Sequence, residues 1–267
     1  MKRLARILSC ALLCTAPFIL SSCVPARAPM PGREGVAAAW DSQRWSRSLL
    51  GRFDRWQRFQ AVYQAKWTDS MERVWRAKAL VTAHLPDKMR IEILNSWGQI
   101  QGLFVLREPS ASLWLVGEKS LYRSRRSAAL LEKLVGIELP GTELAPILVG
   151  LPPKEILDGA PARRLRDGTV VFGEANLREG FSRRYGLCPD MERICSMEFD
   201  LAGAPLSILL QYDTQGEIRE VPSSVTFRSE AGTVELTRTL VTRPANIASE
   251  TFDPPPLGDT VRIVEIP

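Results

Sequence analysis

The residues FQAVYQAKWTDSMERVWRAKALVTA, at positions 59–83, decide the fold class of this chain. Apolar and polar side chains alternate along both halves, which is typical of strands that bury one face. The polar run at 68–70 separates the halves and favours a turn. The stretch therefore predicts an antiparallel hairpin. Its buried face would carry Phe59, Ala61, Tyr63, Ala65 and Trp67 in one strand and Trp75, Ala77, Ala79, Val81 and Ala83 in the next.

Further short strands with close turns are expected on the C-terminal side of this hairpin. Four follow directly, at 88–95, 99–107, 112–116 and 120–123. After a break, strands return at 164–172, 196–201, 206–212, 217–228 and 233–242. Because successive strands with tight turns pair with their neighbours, the pattern predicts an antiparallel meander that forms one curved sheet.

The break between the two strand sets predicts two short helices, at 127–135 and 142–149. Each begins at a hydroxyl residue and is followed by a glycine, Gly136 or Gly150. Helices inserted there can lie across the mouth of a strongly curved sheet. We therefore predict a mainly β, α+β fold: an incomplete antiparallel β-barrel with a helical lid over an apolar cavity, which suits an apolar ligand.

The N-terminus predicts export and lipid attachment. Basic residues precede the apolar run 7–20, which is shorter than the ~20 residues that a membrane-spanning helix needs. The sequence LSSC at 20–23 then matches a lipobox. We expect residues 1–22 to be a lipoprotein signal peptide and Cys23 to carry the lipid. The alternative is an ordinary secretory signal with a chance cysteine.

A tether and a helix are expected to follow the lipid. Residues 23–36 are rich in Pro, Ala and Gly and have no apolar period, so they predict a flexible leash. Residues 37–50 predict a helix closed by Gly51. We expect a folded domain over 37–245 and a C-terminal tail over 246–267.

The charge of the chain argues against nucleic acid as a partner. Removing Lys2, Arg3 and Arg6 with the signal peptide lowers the formal net charge from +5 to +2. The remaining charges of both signs are interspersed, without the clustered basic stripe that neutralises phosphates.

Cys188 and Cys195 are the two cysteines left once the signal peptide and Cys23 are set aside. In an oxidising compartment we expect a local disulfide between them. Two separate buried thiols, or a metal site, are the alternatives, but a metal needs more ligands and the chain has one histidine, His84. We therefore expect no metal.

The segment 89–153 resembles the LolB family of outer-membrane lipoprotein receptors. It contains a strand that ends in the turn Asn95-Ser96-Trp97-Gly98, a hairpin partner, two Leu-rich helices and the sequence LVGLP at 148–152. The cysteine-bearing segment 178–195 and the tail depart from the family pattern. The resemblance implies a lipid-anchored protein on the periplasmic face of the outer membrane. It would accept lipoproteins from a LolA-like periplasmic carrier and hold their acyl chains in the cavity. Val24 in place of aspartate after Cys23 agrees with outer-membrane sorting.

Trp97 is the candidate membrane-insertion tip, because the family has an apolar side chain on a protruding turn there. An indole prefers the membrane interface, where its ring and its N–H group are both satisfied. The alternative is that Trp97 folds back on the sheet.

Ten apolar residues are candidates for the acyl cavity: Phe59, Tyr63, Trp75, Ile91, Ile93, Phe104, Leu106, Leu130, Leu134 and Leu148. A packed core would show the same pattern, so the resemblance alone favours a cavity. The sequence carries no nucleophile motif, HExxH or phosphate loop, so we expect neither an enzyme nor a cofactor. The rival functions are a structural or interaction lipoprotein of the cell envelope and a carrier of another lipid.

Overall fold

The computed structural model describes residues 41–159, 162–165, 169–172, 181–190, 192–201, 204–215, 218–255 and 261–267. The expected signal peptide, Cys23 and the tether lie outside the described residues. The observations below concern the described residues alone.

One sheet of 14 strands forms the frame of the molecule. Its N-terminal half is an antiparallel meander of strands that follow each other in the chain, because each turn is short enough to return the chain beside itself. The strands are β1 (Arg58–Asp69), β2 (Val74–His84), β3 (Lys88–Leu94), β4 (Ile100–Arg107), β5 (Ser110–Leu115) and β6 (Ser120–Ser124).

The C-terminal half of the sheet is a second meander, which joins the first through β1. The strands are β7 (Ala162–Arg164), β8 (Thr169–Phe172), β9 (Phe181–Leu187), β10 (Ile194–Leu201), β11 (Ala204–Gln211), β12 (Ser224–Ser229) and β13 (Gly232–Thr242). β13 pairs antiparallel with β1 from Thr242 opposite Gln60 to Gly232 opposite Asp69. The sheet is curved and unclosed, which confirms the expected incomplete barrel.

Two helices between the halves form the lid. α2 (Ser127–Val135) has the bounds expected from the sequence, and α3 (Gly141–Leu148) begins one residue earlier than expected. α2 ends at Gly136, whose φ of 71° few other residues adopt without cost. The Gly141 N–H donates to Ser127 Oγ at 2.9 Å, which ties the start of α3 to the start of α2. α4 (Lys154–Gly159) follows and has no counterpart in the sequence-based prediction.

The helix α1 (Ser42–Arg55) precedes β1 and differs from its prediction. Gly51 lies inside the helix and does not close it. The Asp41 carboxylate caps the N-terminus by accepting from Arg44 N–H. The buried face continues from Leu49 to Phe53, so packing outweighs the helix-weakening effect of one glycine.

Two strand predictions in the C-terminal half were wrong, and one strand was not predicted. The single strand expected at 164–172 is two strands, β7 and β8, and β12 begins only at Ser224. The segment 178–195, which the sequence set apart as a departure from the family, contains β9 and the start of β10.

The described residues of the expected tail, 246–255 and 261–267, include two elements that contact the sheet. A 3-10 turn at Ser249–Phe252 buries Phe252 against Leu103 and Val105 on β4. β14 (Arg262–Glu265) then pairs in parallel with β6. β14 is one end of the strand order and β7 is the other.

Candidate functional site

A cavity of about 260 Å³ lies between the sheet and the lid. Strands β1, β2, β3, β12 and β13 supply one wall, and residues from α2 to α3 supply the other. The wall is almost wholly apolar. Trp75 belongs to it and is 44% exposed, so the cavity reaches the surface beside this indole.

Five of the ten candidate residues line this cavity: Trp75, Ile91, Ile93, Leu134 and Leu148. The other five, Phe59, Tyr63, Phe104, Leu106 and Leu130, are buried in the packed core and are not part of the cavity wall. Core and wall positions share one face of the sheet, so alternation alone does not separate them.

Small side chains on the sheet leave the space that forms the cavity. Ala65, Ala77 and Ala79 occupy adjacent inward positions on β1 and β2, and all three line the cavity. An alanine facing the lid leaves room that a larger residue would fill. The remaining wall residues outside the sequence-based prediction include Trp67, Leu131, Val135, Ile137, Leu139, Leu144, Phe227, Val234 and Leu236. A run of inward-facing alanines was the sequence signal for the cavity.

Two tryptophans form the sheet side of the cavity mouth. Trp67 and Trp75 lie directly opposite each other on β1 and β2, with ring centroids 4.9 Å apart. The Arg73 guanidinium lies 5.3 Å from the Trp75 ring centroid, within the range of a cation–π contact. Across the mouth, Gly136 lies beside the Trp67 ring, and an added Cβ would be in ordinary contact with Trp67 Cζ2 at 3.7 Å.

Trp97 is 86% exposed at the turn between β3 and β4. Asn95 builds this turn: its Oδ1 accepts from Trp97 N–H at 2.9 Å and from Gln99 N–H at 3.0 Å. The Gly98 N–H donates to the Asn95 carbonyl at 3.0 Å, and Gly98 has a φ of 78°. The turn therefore holds Trp97 away from the sheet.

The strand register puts Trp97 at the same end of the sheet as the cavity mouth. The pairing of β2 with β3 ends at Lys78 opposite Leu94, one residue before the Asn95 turn. Trp75 lies three residues beyond Lys78 on β2, in the direction of the β1–β2 turn. The turn that carries Trp97 and the mouth that contains Trp75 are thus side by side.

Charged and polar groups lie beside the lid. Glu143 on α3 forms a short ion pair with Arg183 on β9, and only 5% of Glu143 is exposed. The hydroxyl of Tyr63 on β1 donates to the Leu148 carbonyl at 3.2 Å, and burial raises the pKa of Tyr63. These contacts attach α3 to strands from both halves of the sheet.

The site is an apolar cavity, with its charged groups beside the lid. The described ranges contain no group of three or more His, Cys, Asp or Glu side chains placed to hold a metal ion. His84 ends β2. Cys188 and Cys195 form a disulfide with 5.0 Å between their Cα atoms, which joins the end of β9 to β10. Among the described residues, no helix has the length and apolar character to cross a membrane.

Known structures share this fold. A Vibrio parahaemolyticus domain assigned to outer membrane lipoprotein sorting is 12% identical, with 80% of this chain and 97% of that chain covered and a TM-score of 0.51. A DUF1329 family protein from Desulfovibrio piger is 9% identical, with 80% and 98% covered and a TM-score of 0.53. The LolA superfamily protein NE2245 from Nitrosomonas europaea is 10% identical, with 78% and 97% covered and a TM-score of 0.49.

The Vibrio domain and the DUF1329 protein have the same fold as this chain, which agrees with the carrier fold that the resemblance to LolB implied. At such low sequence identity they show the fold alone. No protein-family model matches the sequence. No curated protein matches it either.

Proposed function

We propose that this protein binds acyl chains in the cavity between its sheet and its lid, without catalysing a reaction. The observation that carries the proposal is an apolar cavity of about 260 Å³ that reaches the surface beside Trp75. Acyl chains need no reactive group, since their binding follows the apolar area removed from water, at roughly 25 cal/mol per Å². An acyl chain matches a wall of Ala, Ile, Leu, Val and aromatic side chains.

The cargo that we propose is the acylated N-terminus of other lipoproteins. The protein itself would be anchored by Cys23 to the periplasmic face of the outer membrane, and its tether would let the domain reach a soluble LolA-like carrier. Support comes from the lipobox at 20–23, the similarity of segment 89–153 to LolB, and the assigned role of the Vibrio domain with the same fold.

Trp97 is the residue that we propose for passing the cargo into the membrane. It is exposed on a fixed turn at the mouth end of the sheet. An indole at this position would enter the membrane interface while the acyl chains leave the cavity beside it.

A transfer assay tests the receptor function. A soluble form with Cys23→Ala is mixed with its own species' carrier, which is loaded with a labelled lipoprotein, and transfer of the cargo is measured. A cargo without acyl chains is the control. Acyl-dependent transfer is expected.

No transfer to the folded protein would contradict the receptor function. Identification of co-purifying lipids would then separate the two rivals. A bound glycolipid or phospholipid would indicate a carrier of another lipid, and an empty cavity would indicate a structural or interaction lipoprotein.

A further inference from the structure

The β1–β2 hairpin extends beyond its neighbour on one side. β3 pairs with β2 only as far as Lys78, whereas β1 and β2 remain paired to Thr68 and Val74. Four residues of β2 and the turn therefore project past the end of β3. We call residues 69–78 the hairpin tip.

Exposed apolar side chains are concentrated at this end of the sheet. Met71 is 73% exposed, Val74 43% and Trp75 44%. With Trp97, they make four of the six exposed large apolar residues among the described part of the chain. Scattered single residues of this kind are ordinary, but a cluster marks a contact surface.

The turn of the hairpin tip is held by hydrogen bonds. Asp69 Oδ1 accepts from Met71 N–H and from Arg73 N–H, both at 2.9 Å, and Asp69 Oδ2 accepts from Arg73 Nε at 2.7 Å. Burial alone would raise the pKa of Asp69, but the hydrogen bonds from Arg73 and Met71 lower it, so the carboxylate stays charged. Met71 is thus presented on an ordered turn.

The charges beside these apolar residues indicate which surface they contact. Arg76 and Lys78 are exposed on the same strand, and Arg73 is exposed at the turn. Asp69 is paired with Arg73, which leaves Glu72 as the other acidic residue of the hairpin tip. Apolar side chains flanked by cations match the interface of an anionic bilayer, where each Lys or Arg contributes about 1 kcal/mol.

The cavity mouth opens on the same surface. Trp75 belongs both to the cavity wall and to the exposed cluster. An acyl chain that left the mouth through water would expose its methylene groups at a cost of about 0.8 kcal/mol each. A bilayer in contact with the hairpin tip removes that exposure.

We infer that the hairpin tip docks on an anionic phospholipid surface, with Met71 and Val74 in the interface beside Trp97 and the cavity mouth facing the bilayer. This orientation rests on the proposed function for its purpose, but the docking itself is measured without cargo.

Vesicle co-sedimentation of the chain with Cys23→Ala tests the docking. Vesicles of phosphatidylethanolamine and phosphatidylglycerol are expected to bind it, and Met71→Glu is expected to weaken binding about tenfold or more, as loss of one buried apolar side chain implies. Leu240→Glu is the matched control, since Leu240 is 54% exposed on β13 and lies away from the hairpin tip. The double variant Arg76→Gln/Lys78→Gln is expected to lose the preference for phosphatidylglycerol vesicles over pure phosphatidylcholine vesicles.

Equal binding by Met71→Glu and the parent chain would overturn the inference, as would an equal loss in Leu240→Glu. The inference would also be overturned if Met71→Glu bound vesicles normally but received less cargo from the carrier. The hairpin tip would then contact the carrier protein and not the bilayer. Binding of a fluorescent fatty acid without vesicles is measured in parallel. Its failure would refute the acyl cavity, while a Met71-dependent vesicle contact would still establish the docking.

Discussion

At the scale of single residues, the turn at 95–98 keeps the side chain of Trp97 exposed. Trp97 is 86% exposed. Asn95 and Gly98 hold the backbone in a shape that directs Trp97 outward.

Trp97→Glu should leave folding intact and reduce insertion of delivered lipoproteins. The side chain is 86% exposed, so a carboxylate there stays in water in the free protein, but it opposes entry into the membrane interface. Thermal unfolding and the transfer assay measure the two effects. Trp97→Leu is the control and should retain insertion. Full transfer by Trp97→Glu would contradict the role of this residue.

Two glycines in turns should respond differently to alanine. Gly232 has a φ of 141°, and an added Cβ would lie 2.2 Å from the Thr68 carbonyl oxygen. Gly98 has a φ of 78° with no atom within 4 Å of an added Cβ. We expect Gly232→Ala to lower the free energy of unfolding by about 3 kcal/mol and Gly98→Ala by about 1 kcal/mol. Urea denaturation measures both, and equal losses would show that the close approach at Gly232 relaxes freely.

The residues of the site were partly predictable from the sequence. Trp75 and Ile91 line the cavity, and Phe59 and Phe104 lie in the core, although all four follow the same inward alternation. Whether an inward residue lies in the cavity wall or in the core depends on the local distance between the lid and the sheet. That spacing comes from contacts distant in the chain, which periodicity does not encode.

At the scale of elements, α1 is fastened by one carboxylate on the loop after β11. Glu220 Oε2 pairs with Arg55 Nη2 at 2.7 Å, and Glu220 Oε1 accepts from Trp56 Nε1 at 2.8 Å. The Glu220 carbonyl also accepts from Arg52 Nη2 at 2.5 Å. These contacts lie at the C-terminal end of the helix, where cations also interact favourably with the helix dipole.

The free energy of unfolding should decrease as the pH is lowered and Glu220 becomes protonated. Burial raises the pKa of this carboxyl, but the hydrogen bonds from Arg55 and Trp56 and the charges of Arg55 and Arg52 outweigh it, so the pKa lies below its usual value of 4.5. Because the folded state binds the proton less tightly, the stabilisation is present above pH 4.5 and is lost as pH falls through the folded pKa.

Glu220→Gln should therefore lose less stability than the parent chain between about pH 5 and about pH 3. Thermal midpoints across that range measure it. Glu235→Gln is the control, because Glu235 pairs with Lys66 at 3.3 Å with both side chains exposed, and exposed pairs contribute little. Identical pH profiles for Glu220→Gln and the parent chain would contradict the role of Glu220.

Element types were predictable where local signals were strong. The end of α2 followed from Gly136, but Arg126 and not a hydroxyl residue is its N-cap, and the Ser127 hydroxyl accepts from Gly141 N–H instead. The end of α1 did not follow from its glycine, because burial of Phe53 carries the helix past Gly51. β9 was not predicted because its sequence lacks a local strand signal. Its strand conformation depends on pairing with β10.

At the scale of the whole molecule, the unclosed sheet and its lid enclose the cavity. The sequence indicated this architecture because alternation, tight turns and a helical interruption are all local features. It did not indicate that β1 and β13 join the two halves, since that pairing links distant parts of the chain.

Filling the cavity should weaken acyl binding without unfolding the protein. Ala79→Phe places a ring into the apolar space of about 260 Å³, so we expect the free energy of unfolding to change by less than about 1.5 kcal/mol. The affinity for a fluorescent fatty acid should fall at least about tenfold, as the ring occupies the space of the acyl chain. Leu80→Phe, on the opposite face of the same strand, is the control and should bind normally. Unchanged affinity in Ala79→Phe would mean that the fatty acid binds elsewhere.

The β1–β13 ladder also has a consequence for biogenesis. When the chain emerges with its N-terminus first, one backbone edge of β1 has no partner until β13, at Gly232–Thr242, has also emerged. Such an edge is a template for pairing with other chains until its own partner arrives. We expect aggregation to compete with folding during that interval, and a periplasmic holding chaperone that covers β1 to raise the yield of the folded protein.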